Sequence, residues 1–255
     1  MRISAALIWY DESPEDLAAC VRGVAEIADA IVAVDGAYRR YPDAEVSSPP
    51  EQAEAIRETA NTVGIEADVV IPSRLWAGQI EKRTFTLTRA SGADWIAVVD
   101  TDWIVHADRD ATRTELARTT ADVVAVPFYT PPAGEMFATG WHRKEAGRRT
   151  WQPHFFRPLP GIRVEGKHYQ VSARKDGQWV WMRHAPTKAR VVLPMARLAS
   201  EYVIEHRSLF RDERHILAGR AFCNDRILVL ARTGQEDHVP GLPEPVFDYV
   251  TVPYE

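Results

Sequence analysis

Short apolar runs alternate with amphipathic segments along the first half of the chain. The nearly continuous apolar runs occupy residues 3–10, 30–34, 69–71 and 95–99. Runs of this length predict strands that are buried on both faces of a parallel sheet. The segments that separate them carry apolar side chains at helical spacing and cover residues 14–27, 51–63 and 79–91. Strands that alternate with helices form βαβ units, so the sequence predicts an α/β fold with a mostly parallel sheet flanked by helices.

Residues that favour helix ends support these boundaries. Ser13 is placed to cap the first helix, and Pro14 follows at the first helical position, where proline is well tolerated. Gly64 and Gly92 follow the second and third helices, and glycine commonly ends a helix at such a position. We therefore expect both of these helices to end just before a glycine.

The pattern changes after residue 128. A helix over 112–118 and a strand over 123–128 complete the regular part, and shorter strand-like pieces follow near Phe155, over 162–164 and over 179–182, with a hairpin turn at 175–178. A long helical pattern covers about 208–232, and prolines over 234–255 predict an extended tail. We divide the chain into residues 1–128, residues 129–233 of the same domain, and the tail.

Composition narrows the classes of function. The formal net charge of −5 at pH 7 lacks the basic footprint of a nucleic-acid-binding protein. No apolar run approaches the length of a spanning helix and no leader pattern opens the sequence, so we expect a cytoplasmic protein without an integral membrane segment. Cys20 and Cys223 both fall in helical patterns beside apolar neighbours, which predicts reduced thiols without a bridge.

Two carboxylates follow the fourth predicted strand. Asp100 and Asp102 are separated by one residue directly after an apolar run. In parallel sheets, ligands bind outside the carboxyl ends of the strands. Two carboxylates around a turn can face one hard cation, which completes its shell with phosphate oxygens, so the pair predicts a Mg²⁺ or Mn²⁺ site. The alternative is that both acids cap the turn.

Residues around this pair resemble the GT-A glycosyltransferases, in particular the broad inverting, family 2-like group of bacterial sugar transferases. The resemblance covers residues 3–105 and rests on the acid Asp35 after the second strand, on the sequence Gly78-Gln79-x-x-Lys82-Arg83 before the fourth strand, and on the D-x-D pair. A looser resemblance continues through 164–168 and 205–207.

The resemblance implies a GT-A-like Rossmann-type sheet in which residues 1–128 bind a nucleotide sugar and residues 129–233 form the acceptor side and a lid. It places Tyr10 and Asp35 near the nucleobase, and it places other residues around the diphosphate: Gln79, Lys82, Arg83, Asp100, Arg207 and Arg211. It implies His206 as a third metal ligand, with His168 as the rival.

The implied reaction is transfer of a sugar from a UDP- or GDP-sugar to a hydroxyl of a glycan, a protein or a small molecule. Glu165 and His168 are the candidate catalytic bases, and the sequence leaves open which of them acts and whether the configuration is inverted or retained. A HAD-type phosphatase would carry its D-x-D on the first strand, and a nucleotidyltransferase would carry a glycine-rich loop where this chain has Trp9 to Glu12. A non-catalytic sugar-nucleotide or glycan-binding module on the same fold remains the alternative, because the sequence does not place an Asp or Glu where the family usually has its catalytic base.

Overall fold

The computed structural model describes residues 1–39, 41, 44–131, 149–165, 170–183, 192–199 and 201–207. The predicted helix over about 208–232, the tail and Cys223 lie outside the described residues, as do His168 and Arg211. Within the described part of the chain, no helix has both the length and the apolar character needed to cross a membrane. The division into residues 1–128, 129–233 and 234–255 stays a prediction.

The described residues form four helices and twelve strands in an α/β arrangement. The helices are α1 Pro14–Ala25, α2 Pro50–Val63, α3 Gln79–Ala90 and α4 Arg109–Arg118. The first six strands are β1 Ile3–Ile8, β2 Ala30–Val34, β3 Glu66–Val70, β4 Trp95–Asp100, β5 Trp103–Ala107 and β6 Val123–Tyr129. The later strands are β7 Arg149–Phe156, β8 Arg163–Glu165, β9 Gln170–Lys175, β10 Gln178–Arg183, β11 Met195–Arg197 and β12 Tyr202–His206.

A mostly parallel central sheet confirms the predicted fold class. Its strand order is β3-β2-β1-β4-β7-β6-β12-β5, with β11 also paired to β6. The strands β1 to β4 run parallel to one another. β7 runs antiparallel to both of its neighbours, β4 and β6. A separate three-stranded antiparallel sheet holds β8, β9 and β10. The carboxyl ends of β1, β2 and β4 therefore lie together at one edge of the central sheet.

Helices cover both faces of the central sheet, which explains why its first strands are apolar throughout. Ile3, Ala5 and Leu7 of β1 belong to the core on the side of α1 and α2. Ala6 and Ile8 belong to the core on the other face, under α3 and the three-stranded sheet. Because side chains alternate between faces along a strand, a strand covered on both faces lacks polar alternation.

The helix ends agree with the sequence in two places and differ in one. The Ser13 side chain accepts a hydrogen bond from the Asp16 N–H at 3.0 Å, which confirms the N-cap of α1. Gly64 ends α2 with φ +75°, a left-handed conformation that favours glycine. The prediction for Gly92 was wrong, because α3 ends at Ala90 and the C-cap is Ser91 in a right-handed conformation.

Strand boundaries show larger differences. β1 ends at Ile8, so Trp9 and Tyr10 lie beyond the strand rather than inside it. The sequence patterns did not predict β5, although four of its five residues are apolar, because the strand follows the D-x-D pair at once without an intervening helix. The hairpin turn between β9 and β10 is confirmed, with φ +52° at Asp176 and +79° at Gly177, the two positive values that a type I′ turn requires.

Candidate functional site

A cleft of about 240 Å³ opens at the carboxyl ends of β1 and β4, beside the segment that follows β2. In open α/β sheets this edge is the usual place for a ligand. Its lining combines three acids, two cations and three tyrosines with apolar walls. The lining residues are Ile8, Trp9, Tyr10, Glu12, Ala37, Tyr38, Tyr41, Gln79, Lys82, Arg83, Asp100, Thr101 and Asp102.

The D-x-D pair lies in the turn between β4 and β5. Asp100 is the last residue of β4, and Asp102 directly precedes β5. His206 ends β12, which pairs antiparallel with β5 and places His206 opposite Trp103. This register brings the His206 imidazole to Asp102, with Nε2 3.3 Å from Oδ2. The Arg207 N–H also donates to the Asp102 carbonyl at 2.6 Å, which fixes the end of β12 against the turn.

The His206 ring is itself well supported. It packs on Phe128 with ring centroids 4.9 Å apart, and its Nδ1 lies 3.4 Å from the Thr130 hydroxyl. Its side chain is 12% exposed, against 13% for Asp102. Two strands that are distant in the sequence therefore hold an imidazole and a carboxylate in direct contact at the edge of the cleft.

These residues fit a divalent cation that is shared with a ligand. Among the described residues, no three His, Cys, Asp or Glu side chains converge to hold a metal by themselves. Mg²⁺ is commonly held by only one or two carboxylates and completes its shell with water and phosphate oxygens. Asp100 and Asp102 both line the cleft and can supply those carboxylates.

Arg83 neutralises one member of the pair. Its Nη2 donates to Asp100 Oδ1 at 2.6 Å, and the two side chains are 8% and 25% exposed. Arg83 extends from the first turns of α3 toward the end of β4. The ion pair holds the Asp100 carboxylate in place and puts a guanidinium group into the cleft wall, where its positive charge can attract a phosphate.

Lys82 is the most deeply buried cation of the cleft. It is 1% exposed, and its Nζ donates to the carbonyls of Trp9 and Gly36, each at 2.6 Å. Burial lowers the pKa of the Lys82 ammonium to about 7, although the nearby Asp35 charge raises it. Lys82 thereby ties the segment after β1 to the segment after β2.

Asp35 does not line the cleft. It is 1% exposed, and its carboxylate accepts hydrogen bonds from the Ser48 N–H at 2.7 Å and the Ser48 hydroxyl at 2.6 Å. The Ser48 hydroxyl in turn accepts from the Asp11 N–H at 2.8 Å. Asp35 is therefore placed to anchor the segment over residues 36–48, which the sequence analysis did not foresee.

That segment forms an aromatic wall of the cleft. Tyr38 and Tyr41 line it together with Tyr10. The rings of Tyr10 and Tyr41 meet edge to face with centroids 5.1 Å apart, and the Tyr10 hydroxyl accepts from the Glu45 N–H at 2.8 Å. Sequence reasoning found Tyr10 but missed the other two, although two tyrosines soon after a strand end were a visible signal.

Glycine is required where this segment leaves the sheet. Gly36 has φ +104°, and a Cβ at this position would lie 2.5 Å from Cγ of Pro72 and 2.8 Å from the Val46 carbonyl. Any other residue would be strained in its backbone and would also clash with neighbouring atoms. The direction in which the aromatic wall departs from β2 is therefore fixed.

Glu12 is a further cleft residue that sequence reasoning missed. Its Oε1 accepts a hydrogen bond from the hydroxyl of Thr101, the middle residue of the D-x-D turn, at 2.8 Å. Its N–H donates to Oε1 of Gln52 at 3.1 Å. Glu12 thus connects α2 to the D-x-D turn, and the signal in the sequence was an acid two residues past the first apolar run.

The remaining predicted residues are divided between the cleft and its surroundings. Gln79 lines the cleft at the start of α3. Glu165 lies in β8 of the smaller sheet, its carboxylate is ion-paired with Arg163, and it is not part of the lining. Arg207 is half exposed, with its Nε 3.5 Å from Glu205. His168 and Arg211 fall outside the described residues.

Comparison with known proteins gives little beyond this geometry. No family model matches the chain, and the comparison with curated proteins finds no match. Among solved structures, the chain is similar to 4-diphosphocytidyl-2C-methyl-D-erythritol synthase from Anaerococcus prevotii DSM 20548, with 13% identity and a TM-score of 0.34. The match covers 62% of this chain and 70% of that one. A likeness this distant carries no functional inference, and the cleft itself is the basis for assigning a function.

Proposed function

We propose that the chain is a metal-dependent glycosyltransferase with a GT-A-like fold that uses a UDP- or GDP-sugar as donor. The observation that carries the proposal is the contact of His206 with Asp102 beside the Arg83–Asp100 ion pair, at the carboxyl edge of a parallel sheet. Carboxylates and an imidazole suit Mg²⁺ or Mn²⁺, and adjacent cations suit a diphosphate.

The donor would lie across the cleft in a definite direction. The tyrosine wall of Tyr10, Tyr38 and Tyr41 offers ring faces and edges to a nucleobase, and aromatic stacking of a base contributes about 1–3 kcal/mol. The diphosphate would then lie between Arg83 and the D-x-D pair. Because Asp35 is turned toward Ser48, its contribution to nucleotide binding would be to hold this wall in place.

The chain's own residues would act mainly through charge. A divalent cation at Asp100 and Asp102 would neutralise negative charge on the departing diphosphate. Arg83 would add fixed positive charge on the other side of that group, in a site where water is partly excluded. A base would take the proton of the acceptor hydroxyl, and Glu165 and His168 remain the predicted candidates.

A non-catalytic module that binds a sugar nucleotide or a glycan is the second candidate. It is favoured by one observation: the Glu165 carboxylate is ion-paired with Arg163 and lies away from the cleft lining. A binding module would bind the nucleotide in the same metal-dependent way but would not break the sugar–phosphate bond.

One experiment tests both candidates. Thermal unfolding is followed with UDP, GDP, UDP-glucose and GDP-mannose, with Mn²⁺ or with EDTA. A ligand at about 100 times its Kd stabilises the fold by about 2.7 kcal/mol, so a shift that requires Mn²⁺ supports the proposal. Equal shifts in Mn²⁺ and in EDTA would contradict a metal site.

Release of nucleoside diphosphate separates the two candidates. Slow Mn²⁺-dependent hydrolysis of the stabilising sugar nucleotide, with water in place of the acceptor, is expected of an enzyme. Tight binding without any hydrolysis in the presence of acceptor mixtures would favour the binding module. Asp110→Asn, an exposed acid in the first turn of α4, provides a matched control for charge in both assays.

A further inference from the structure

The hydrogen bonds of Lys82 leave its protonation state open. Its Nζ has two carbonyl acceptors, the backbone oxygens of Trp9 and Gly36. A neutral amine satisfies two acceptors with its two N–H groups, whereas an ammonium group carries three N–H donors. Lys82 lines the cleft, so the third donor of the charged form needs an acceptor there.

The groups around Lys82 act on its charge in opposite directions. Burial and the neighbouring Arg83 disfavour the ammonium form, while Asp35 and Glu12 favour it. The Tyr38 ring adds a weak preference for a cation, with Nζ 5.6 Å from its centroid. A further negative charge beside the Lys82 amine favours its ammonium form and raises its pKa.

We propose that Lys82 takes up a proton when an oxyanion binds in the cleft, so that its ammonium group gives the ligand a third hydrogen bond that the free protein lacks. An anionic oxygen is the acceptor that the charged form requires, and its charge adds to those of Asp35 and Glu12. With a sugar nucleotide as the anion, the inference rests on the proposed function.

The direction of the pH dependence follows from the pKa. In the free protein the pKa of Lys82 lies at about 7, so the amine is mostly neutral above that pH. An anion raises the pKa, and binding above pH 7 then takes up close to one proton, while binding well below it takes up none. Uptake of one proton weakens binding about tenfold for each further unit of pH.

Calorimetry measures this uptake directly. The full chain, saturated with Mn²⁺, is titrated with UDP-glucose or GDP-mannose in buffers of different ionisation enthalpy. Sugar nucleotides do not change charge in this range. We expect about 0.9 proton taken up one pH unit above the pKa and almost none two units below that point.

A second readout observes the residue itself. The chain has five lysines, so a ¹³C-labelled lysine spectrum is simple, and Lys82→Met identifies the signal of Lys82. Its titration midpoint should lie near 7 in the free protein and rise when ligand binds. The measurement uses the parent protein, so it holds even where the variant folds poorly.

The outcomes separate this inference from the proposed function. If the midpoint of Lys82 lies near 10.5 without ligand, or if a bound sugar nucleotide takes up no proton, the inference is overturned. If neither sugar nucleotide binds, the proposed function fails. The inference about Lys82 is then tested with sulfate, a dianion whose charge is constant in this pH range. A rise of the Lys82 midpoint with sulfate supports the inference, and a midpoint that sulfate leaves unchanged overturns it.

Discussion

The two ends of the parallel strands carry the same types of charged residue, but these residues make different contacts. At the amino end, Asp29 accepts hydrogen bonds from the Ile3 N–H at 2.9 Å, from Arg113 at 3.1 Å and from Arg109 at 3.1 Å. At the carboxyl end, Glu12, Asp100 and Asp102 line an open cleft together with Lys82 and Arg83.

The difference lies in what the cations contact. The arginines of the amino end bind a carboxylate that also anchors the start of β1, so the charges are satisfied within the fold. In the cleft, Lys82 donates to backbone carbonyls, and Arg83 is paired with Asp100, one of the three acids in the lining. The charges of the amino end are thus paired within the fold, whereas those of the carboxyl end surround a cavity. Variants at the two ends should therefore affect activity and stability in opposite ways.

The largest effect is expected for Asp102→Asn. Loss of one charged stabiliser of the departing group typically lowers turnover by about 10²–10³-fold, or about 2.7–4 kcal/mol. We expect that loss in Mn²⁺-dependent release of nucleoside diphosphate, with a free energy of unfolding close to that of the parent. Asp110→Asn should retain full activity. If the Asp102→Asn enzyme keeps the parent's metal dependence, Asp102 is not a metal ligand.

Asp29→Ala should be the reverse case, with lower stability and unchanged activity. Removing an acid that receives bonds from Arg113, Arg109 and the Ile3 N–H should cost about 3 kcal/mol, measured by urea unfolding. Asp68→Ala is the matched control, because its pair with Arg89 is about half exposed and should contribute less than about 1 kcal/mol.

The same variant carries a pH signature. Burial raises the pKa of the Asp29 carboxyl, but hydrogen bonds from Ile3 and Arg113 outweigh this effect and the pKa lies below its ordinary value of 3.8. The stabilisation is therefore present above 3.8 and is lost as the pH falls through the lower, folded-state pKa. The stability difference between parent and Asp29→Ala should shrink in that acidic range. A constant difference would contradict the assignment.

Asp35→Ala should give an intermediate effect. It leaves the N–H and hydroxyl of Ser48 without their acceptor, at a cost of about 2 kcal/mol in unfolding free energy. Nucleotide binding should weaken because the tyrosine wall loses its anchor, while the metal requirement persists. Ser48→Ala should reproduce part of this weakening if Asp35 acts as an anchor. If Ser48→Ala binds nucleotide as the parent does while Asp35→Ala does not, Asp35 contacts the nucleotide itself.

The smallest effect is expected for Tyr10→Phe. The variant keeps the ring that meets Tyr41 but loses the hydroxyl that accepts from the Glu45 N–H. One such hydrogen bond contributes about 1 kcal/mol, so affinity for nucleotide should fall less than about tenfold. Calorimetry would measure it, and a loss as large as that for Asp102→Asn would show that the hydroxyl binds the ligand directly.

The sequence predicted the parts of this molecule that depend on local pattern. Apolar runs and cap residues predicted the helices and, apart from β5, the strands up to residue 128, because burial on both faces and helix capping depend on neighbouring residues. The D-x-D pair was visible for the same reason, since both acids belong to one turn. His206 entered through the resemblance, and its contact with Asp102 is now seen in the described residues.

What the sequence did not predict depends on contacts between distant residues. Asp35 faces Ser48 rather than the cleft, and Ser48 lies 13 residues further along the chain. Glu12 contacts Thr101, which lies 89 residues away in the sequence, and no local pattern indicates such a contact. Tyr38 and Tyr41 lie between Asp35 and Ser48 in the sequence, and their place in the cleft lining depends on that contact.

The position of β12 has a consequence for the order in which the chain folds. Within the described residues β5 pairs with β12 alone, and β12 lies between β5 and β6 although it comes last in the sequence. Closing so long a loop is slow, so β5 and the turn that carries Asp102 should become ordered late, together with His206. Pulse-labelled hydrogen exchange should find the β5 amides protected after those of β1 and β4. Under the proposed function, the turn that carries Asp102 would then be completed by the last of the described strands to dock, and affinity for metal would arise at the end of folding.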